Sequence, residues 1–143
     1  MAIKNLLITG SNGCVGQYLI DWFLKNTRFR LYLMVRDKNK LSLSIQKHKR
    51  VKLLICDIRE CQRFSKEISQ INFLIHTATA WGDPKRAYEV NIKAFEDLLG
   101  MLEKEKLEKL IYFSTASILN KETELMREAL TYGTEYILSL IHI

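Results

Sequence analysis

Three glycines recur at a spacing of three, Gly10, Gly13 and Gly16, between one apolar run and another. The run before them, Ile3 to Ile8, is short and branched, as a buried strand is. The run after them, Gln17 to Lys25, carries Leu19, Ile20, Trp22, Phe23 and Leu24 and suits a helix packed on a sheet. A strand, a glycine turn and a helix form a phosphate-binding unit. Gly10 allows the tight turn, Gly13 lets a pyrophosphate approach the backbone, and Gly16 lets the helix lie close to the strand. The helix start offers unpaired N–H groups and a partial positive charge to the phosphates. Asn12, Cys14 and Val15, interleaved with the glycines, complete this candidate binding set.

Further polar residues directly follow apolar runs. Arg36 ends the run Arg30–Val35, Asp57 follows Val51–Cys56, His76-Thr77-Ala78 close Ile71–His76, and Ser114-Thr115 follow Lys109–Phe113. Helical stretches lie between these runs. Leu41–His48 reads as a short helix or loop, and Arg59–Ser69 as a short helix. A longer helix opens with Asp83 as N-cap and Pro84 in its first turn and runs to about Lys104. On it Tyr88, Ile92, Phe95, Leu99 and Leu102 step by three and four, and Glu89 and Lys93 form an i,i+4 pair. A last helix is expected from Leu125 onward. This alternation predicts an α/β fold, a Rossmann-like doubly wound parallel sheet of about five strands with helices on both faces. Right-handed crossovers then bring the glycine turn, Arg36, Asp57, Thr77 and Thr115 to one sheet edge, where such folds bind dinucleotides.

The totals agree with a globular domain: 143 residues, 48% hydrophobic, net charge +6. The whole excess charge lies between Arg36 and Lys52, where seven basic residues face Asp37 alone. That run has no interleaved aromatics and reads as a solvated connection, so nucleic acid is not expected as a partner. Met1 to Gly10 reads as a strand and a turn rather than a signal peptide, and no apolar run is long enough for a membrane span. Cys14, Cys56 and Cys61 sit on regular elements, which fits a reducing cytoplasm without disulfides; Cys56 and Cys61 are too few for a metal site.

Taken together, these segments resemble the extended short-chain dehydrogenase/reductase family, the nicotinamide-dependent epimerase/dehydratase group. Thr9-Gly10-Ser11-Asn12-Gly13-Cys14-Val15-Gly16 is similar to its T-G-x-x-G-x-x-G, and Asp57-Ile58 to the acidic-apolar pair that holds the adenine. His76-Thr77-Ala78-Thr79 is similar to the H-x-A-A segment beside the cofactor, and Tyr88-Glu89-Val90-Asn91 to the Y-x-x-N of the long helix. Tyr112-Phe113-Ser114-Thr115-Ala116-Ser117 resembles its fifth strand, and Ser114-Thr115-Ala116-Ser117-Ile118-Leu119 with Gly133-Thr134-Glu135-Tyr136-Ile137 is similar to a branch common in cyanobacteria.

The resemblance implies an NAD(P) cofactor and hydride transfer to or from a carbonyl or alcohol. An arginine at position 36 suits a ribose 2′-phosphate, so NADP(H) is favoured over NAD(H); an acidic residue there, as Asp37 would be after a shift of one, would favour NAD(H). Asp57 has two readings, a hydrogen bond to adenine or an N-cap for the next helix, and the resemblance favours adenine. Asn91 is placed with the cofactor set as a backbone brace. His76 reads as a satisfied strand-end histidine rather than a base, and Trp22 and Trp81 as packing residues. For catalysis the family uses a Ser or Thr, a Tyr and a Lys. Thr115 matches the hydroxyl, with Ser114 as the alternative, and Tyr136 is preferred to Tyr132 for the proton-carrying phenol. Neither tyrosine has its lysine, because Leu140 and Tyr136 stand at those places and no lysine follows Lys121.

The family's domains run considerably longer, so residues 1–137 are expected to be the N-terminal part of an NAD(P)-binding domain. The segment 138–143 reads as one frame of a sequencing-transposon adapter and is expected to be a non-native tail. A sheet cut short would expose an edge, so aggregation or a homodimer is expected. Two readings stand: an oxidoreductase or epimerase/dehydratase of which this chain is an inactive fragment, and a non-catalytic NAD(P)-binding sensor or interaction protein. Whether the chain is itself an enzyme, and on which small molecule it acts, the residues leave open.

Overall fold

The computed structural model describes residues 3–113. Thr115 and Tyr136, their alternatives Ser114 and Tyr132, the helix expected from Leu125 and the segment 138–143 all lie outside the described residues.

Five strands, β1 (Asn5–Thr9), β2 (Arg30–Val35), β3 (Val51–Ile55), β4 (Phe73–His76) and β5 (Lys109–Tyr112), form one parallel sheet in the order β3-β2-β1-β4-β5. The chain winds outward from β1 to β3, then crosses back to β4 beside β1. The order reverses there, so the ends of β1 and β4 flank a crevice. Strand alternation divides the core. Leu6, Ile8, Leu31, Leu33, Val35 and Ile75 pack with Ile20 and Leu41 on one face. Leu7, Tyr32, Met34, Leu54 and Leu74 pack on the other with Ile58, Cys61, Ile68, Val90, Phe95 and Leu98. Strands buried on both faces read as continuous apolar runs, which is why these segments stand out in the sequence.

The helices depart from expectation in three places. Helix α1 spans Cys14–Asn26, not Gln17–Lys25, because Gly13 is its N-cap. After the 3₁₀ turn Lys38–Lys40 and the short α2 (Leu43–Gln46), the stretch following β3, Ile58–Phe64, is a pair of 3₁₀ turns broken by a kink at Glu60, leading into α3 (Ser65–Ile68). Ile58, Cys61 and Phe64 all pack on the same core.

The long helix is α4 (Pro84–Tyr88), a π turn (Glu89–Lys93) and α5 (Ala94–Met101). The π turn adds a residue and shifts the buried stripe. Val90, Asn91, Ala94, Phe95, Leu98 and Leu102 face the core, whereas Tyr88, expected inside, is 49% exposed. Glu89 bonds Arg59 Nη1 at 3.4 Å rather than pairing with Lys93.

Part of the basic run is structural. The Arg50 guanidinium donates to the carbonyls of Leu24, Thr27 and Phe29 at the end of α1, and Lys52 pairs with Glu67. Cationic groups stabilise a helix C-terminus by its dipole. Among the described residues no helix is long and apolar enough to cross a membrane.

Candidate functional site

The crevice at the β1–β4 switch point opens into a cleft of about 390 Å³, within the roughly 300–1,000 Å³ of ligand pockets. Gly10, Asn12 and Gly13 line it from the glycine turn, Arg36 from the end of β2, and Cys56, Asp57 and Ile58 from the end of β3. Thr77, Ala78, Thr79, Ala80 and Trp81 line it from the end of β4, with Arg86 and Val90 from the long helix.

The turn is built for close approach. Gly10 has φ +66°, and a Cβ there would lie 2.6 Å from Thr77 Oγ1 and 2.8 Å from the Ala78 nitrogen. A Cβ on Gly16 would lie 2.4 Å from the Gly10 carbonyl oxygen. Gly10 therefore allows the glycine turn to meet the end of β4, and Gly16 seats α1 against that turn. A Cβ on Gly13 meets only the Gly10 oxygen, at 3.2 Å, and that position lines the cleft. Ser11 ties the turn down by donating to the Ile8 carbonyl at 2.6 Å. Gly13 caps α1 without a side chain, so the first-turn N–H groups of Cys14, Val15 and Gly16 have no capping acceptor. Cys14, Val15 and Gly16 are not themselves in the cleft lining.

Thr9 joins the two sides of the crevice. Its Oγ1 accepts from the Thr77 and Ala78 N–H groups at 3.2 and 3.3 Å, and Thr77 Oγ1 donates back to the Thr9 carbonyl at 2.7 Å. Two acceptances fill the hydroxyl's lone pairs, so its proton goes to His76 Nδ1, 3.0 Å away. His76 is only 1% exposed and lies between Phe95 and Tyr112, with ring centroids 4.3 and 5.2 Å away. Burial pushes its pKa down to about 4. The imidazole is neutral beneath the cleft, but it is not the satisfied histidine expected, because its buried Nε2 has no hydrogen-bond partner among the described residues.

Asp57 serves the capping role. Its Oδ1 accepts from Arg59 N at 3.0 Å and Arg59 Nε at 2.9 Å, and Oδ2 accepts from Arg59 Nη2 at 3.1 Å. These hydrogen bonds from Arg59 hold the carboxyl below its usual range. One acceptor position remains, on Oδ2. Asn91, placed with the cofactor set, does not line the cleft; it is a brace. It donates to the Ala80 carbonyl at 2.9 Å and accepts from Ala80 N at 2.8 Å, so both atoms of its amide hold the loop after β4. Asp37 also turns away from the cleft lining, accepting from Asn39 N at 2.9 Å as the cap of the following turn. Cys56 lines the cleft, but burial pushes its thiol up to about 11, so it is protonated and a poor nucleophile.

The sequence reading missed Met34, Cys56, Thr79, Ala80, Arg86 and Val90 as lining residues, and took Trp81 for packing when it is 58% exposed at the cleft rim. Trp22 is half-exposed too, edge-on to Phe23. Thr79 and Ala80 were legible in principle, since they continue directly from a strand end. No local pattern marks Arg86. Among the described residues no cluster of His, Cys, Asp or Glu could hold a metal ion.

Residues 6–139 match the family model described as NAD dependent epimerase/dehydratase family. No curated protein sequence matches the chain. Among solved structures, the fold is similar to that of UDP-glucuronic acid 4-epimerase from Bacillus cereus in complex with NAD. That match has 24% identity and TM-score 0.70 and covers 83% of this chain and 42% of that one. Yeast methylglyoxal/isovaleraldehyde reductase complexed with NADPH is similar at 18% identity and TM-score 0.67, with 81% and 38% covered. The terminal R domain of the myxalamid biosynthetic pathway matches at 18% identity and TM-score 0.74, with 96% and 42% covered. The chain thus spans less than half the length of each.

Proposed function

The chain belongs to the NAD dependent epimerase/dehydratase family, and from that premise we propose that its cleft binds a nicotinamide dinucleotide for oxidoreductase or epimerase/dehydratase chemistry. The observation that carries this is the start of α1, whose N-cap Gly13 has no side chain to bond the first-turn N–H groups and lines an open cleft. Bare N–H groups at a helix start, beside a glycine whose missing Cβ leaves room, suit a pyrophosphate.

In this reading Gly10, Asn12 and Gly13, with the N–H groups of Cys14, Val15 and Gly16, hold the phosphates. Asp57 and Ile58 hold the adenine, using the remaining acceptor position of Asp57. Thr77 and Ala78 flank the cofactor, and Asn91 braces the loop that follows. Arg36 takes a 2′-phosphate, which favours NADP(H). Arg36 lines the cleft while Asp37 is spent on its own turn, and this supports the choice. Bound nicotinamide supplies or accepts the hydride. Thr115 then orients the substrate oxygen and Tyr136 carries its proton. The substrate is a carbonyl or alcohol; an epimerase and a reductase share this fold, so the fold does not choose between them.

A second reading, cofactor binding without catalysis, holds if residues 138–143 are native, because Leu140 then stands where the family's lysine would follow Tyr136. Calorimetric titration with NADPH and NADH tests the binding. Tight NADPH binding, lost in Gly13→Val and weakened in Arg36→Glu, is the expected result. A folded chain that binds neither cofactor overturns the proposal. Carbonyl-dependent NADPH oxidation by the chain would remove the second reading.

A further inference from the structure

Arg36 and Arg86 are the two arginines in the cleft lining, and they come from different elements. Arg36 follows β2, whereas Arg86 sits in the first turn of α4. Its position there is fixed, because Asp83 Oδ2 accepts from Arg86 N at 3.0 Å and Pro84 starts the helix. Among the described residues neither arginine has an ion-pair partner. The nearby carboxylates are engaged elsewhere: Asp57 and Glu89 both bond Arg59, and Asp83 caps the backbone of α4. A guanidinium lining a cleft without a carboxylate of its own is available to an anionic ligand.

We propose that the two arginines divide the charge of one ligand: Arg36 reads the 2′-phosphate, and Arg86, from α4, pairs with the pyrophosphate held at the glycine turn. This rests on the dinucleotide reading above. The glycine turn offers only N–H groups and a helix dipole to a doubly charged pyrophosphate. A full positive charge from α4 completes that site, and α4 lies one turn before the residues that pack on the core, Val90 and Asn91. Arg86 is thus a cofactor-binding residue that serves NAD(H) and NADP(H) alike, whereas Arg36 separates them.

The experiment measures binding of NADPH, NADH, ADP-ribose and 2′-AMP to the chain and to Arg86→Ala, Arg86→Lys, Arg36→Ala and Lys85→Ala. Lys85 adjoins Arg86 but is not in the lining, so its variant controls for net charge. Thermal melting checks that each variant folds. The expected result for Arg86→Ala is a uniform loss of about tenfold for NADPH, NADH and ADP-ribose, with 2′-AMP unchanged. Arg86→Lys restores part of it, and Arg36→Ala weakens only NADPH and 2′-AMP. If Arg86→Ala binds all four as the unaltered chain does, or loses NADPH alone, the division of charge is wrong while the dinucleotide reading stands. If the unaltered chain is folded and binds none of them, both fall together.

Discussion

Thr9 Oγ1 lies 3.0 Å from His76 Nδ1, across the pairing of β1 with β4 and directly beneath the cleft. The same oxygen accepts from two N–H groups at the end of β4. One hydroxyl therefore fixes the separation of the two strand ends between which a dinucleotide would lie.

Replacing Thr9 with Val keeps the shape and removes that oxygen, leaving the Thr77 and Ala78 N–H groups and His76 Nδ1 without it. A loss of about 1–3 kcal/mol in stability is expected, read from the urea midpoint. Thr9→Ser retains the hydroxyl and should lose much less. Equal loss in both variants would assign the effect to the methyl group instead.

Stability should fall as the medium is acidified through the range that His76 sets. The folded chain holds this imidazole neutral, with a pKa pushed down to about 4 by burial, against 6.5 when unfolded. Between those values the unfolded chain binds the extra proton, so stability is complete above the unfolded value, declines as pH drops, and levels off below about 4. The total contribution is at most on the order of 3 kcal/mol. Urea denaturation from pH 4 to 7 measures it, and His76→Gln should flatten the difference across that window.

The three glycines should respond differently. At Gly10 and Gly16 a methyl group meets backbone at under 3 Å, and Gly10 also has a positive φ. Both Ala variants should lower the melting temperature. Gly13→Ala should fold normally, and Gly13→Val should fold but lose nucleotide binding. A Gly13→Val chain that binds NADPH unchanged would separate the glycine turn from the phosphates.

Trp81 should report on the cleft. It is 58% exposed at the rim, on the loop that Asn91 braces. Nucleotide binding should change its emission, and Trp81→Phe should abolish the change, with Trp22 remaining as background. Asn91→Leu unpairs both polar groups of Ala80, so it should alter that emission without ligand and cost about 1–3 kcal/mol. Unaltered Trp81 emission in a folded Asn91→Leu chain would show that the loop holds without its brace.

The sequence by itself determined the strand and helix order, the parallel sheet and the glycine turn. These depend on neighbours along the chain: strands buried on both faces are continuous apolar runs, and a turn that must reach Thr77 and Ala78 without a Cβ declares itself as glycine. Asp57 and Thr77 were placed at the sheet edge for the same reason, since each follows an apolar run, whereas Ile58 came from the resemblance alone. Other features depend on distant partners, and only the tertiary structure decided them. The buried face of the long helix turned on a π turn whose extra residue leaves no mark in a three-and-four pattern. Arg50 belongs to the end of α1, yet it reads as part of a solvated basic run in the chain, and Arg86 belongs to the cleft lining although no local pattern marks it. Periodicity reports which residues leave water, whereas the partner of a charged side chain is set by elements packed together from far apart in sequence.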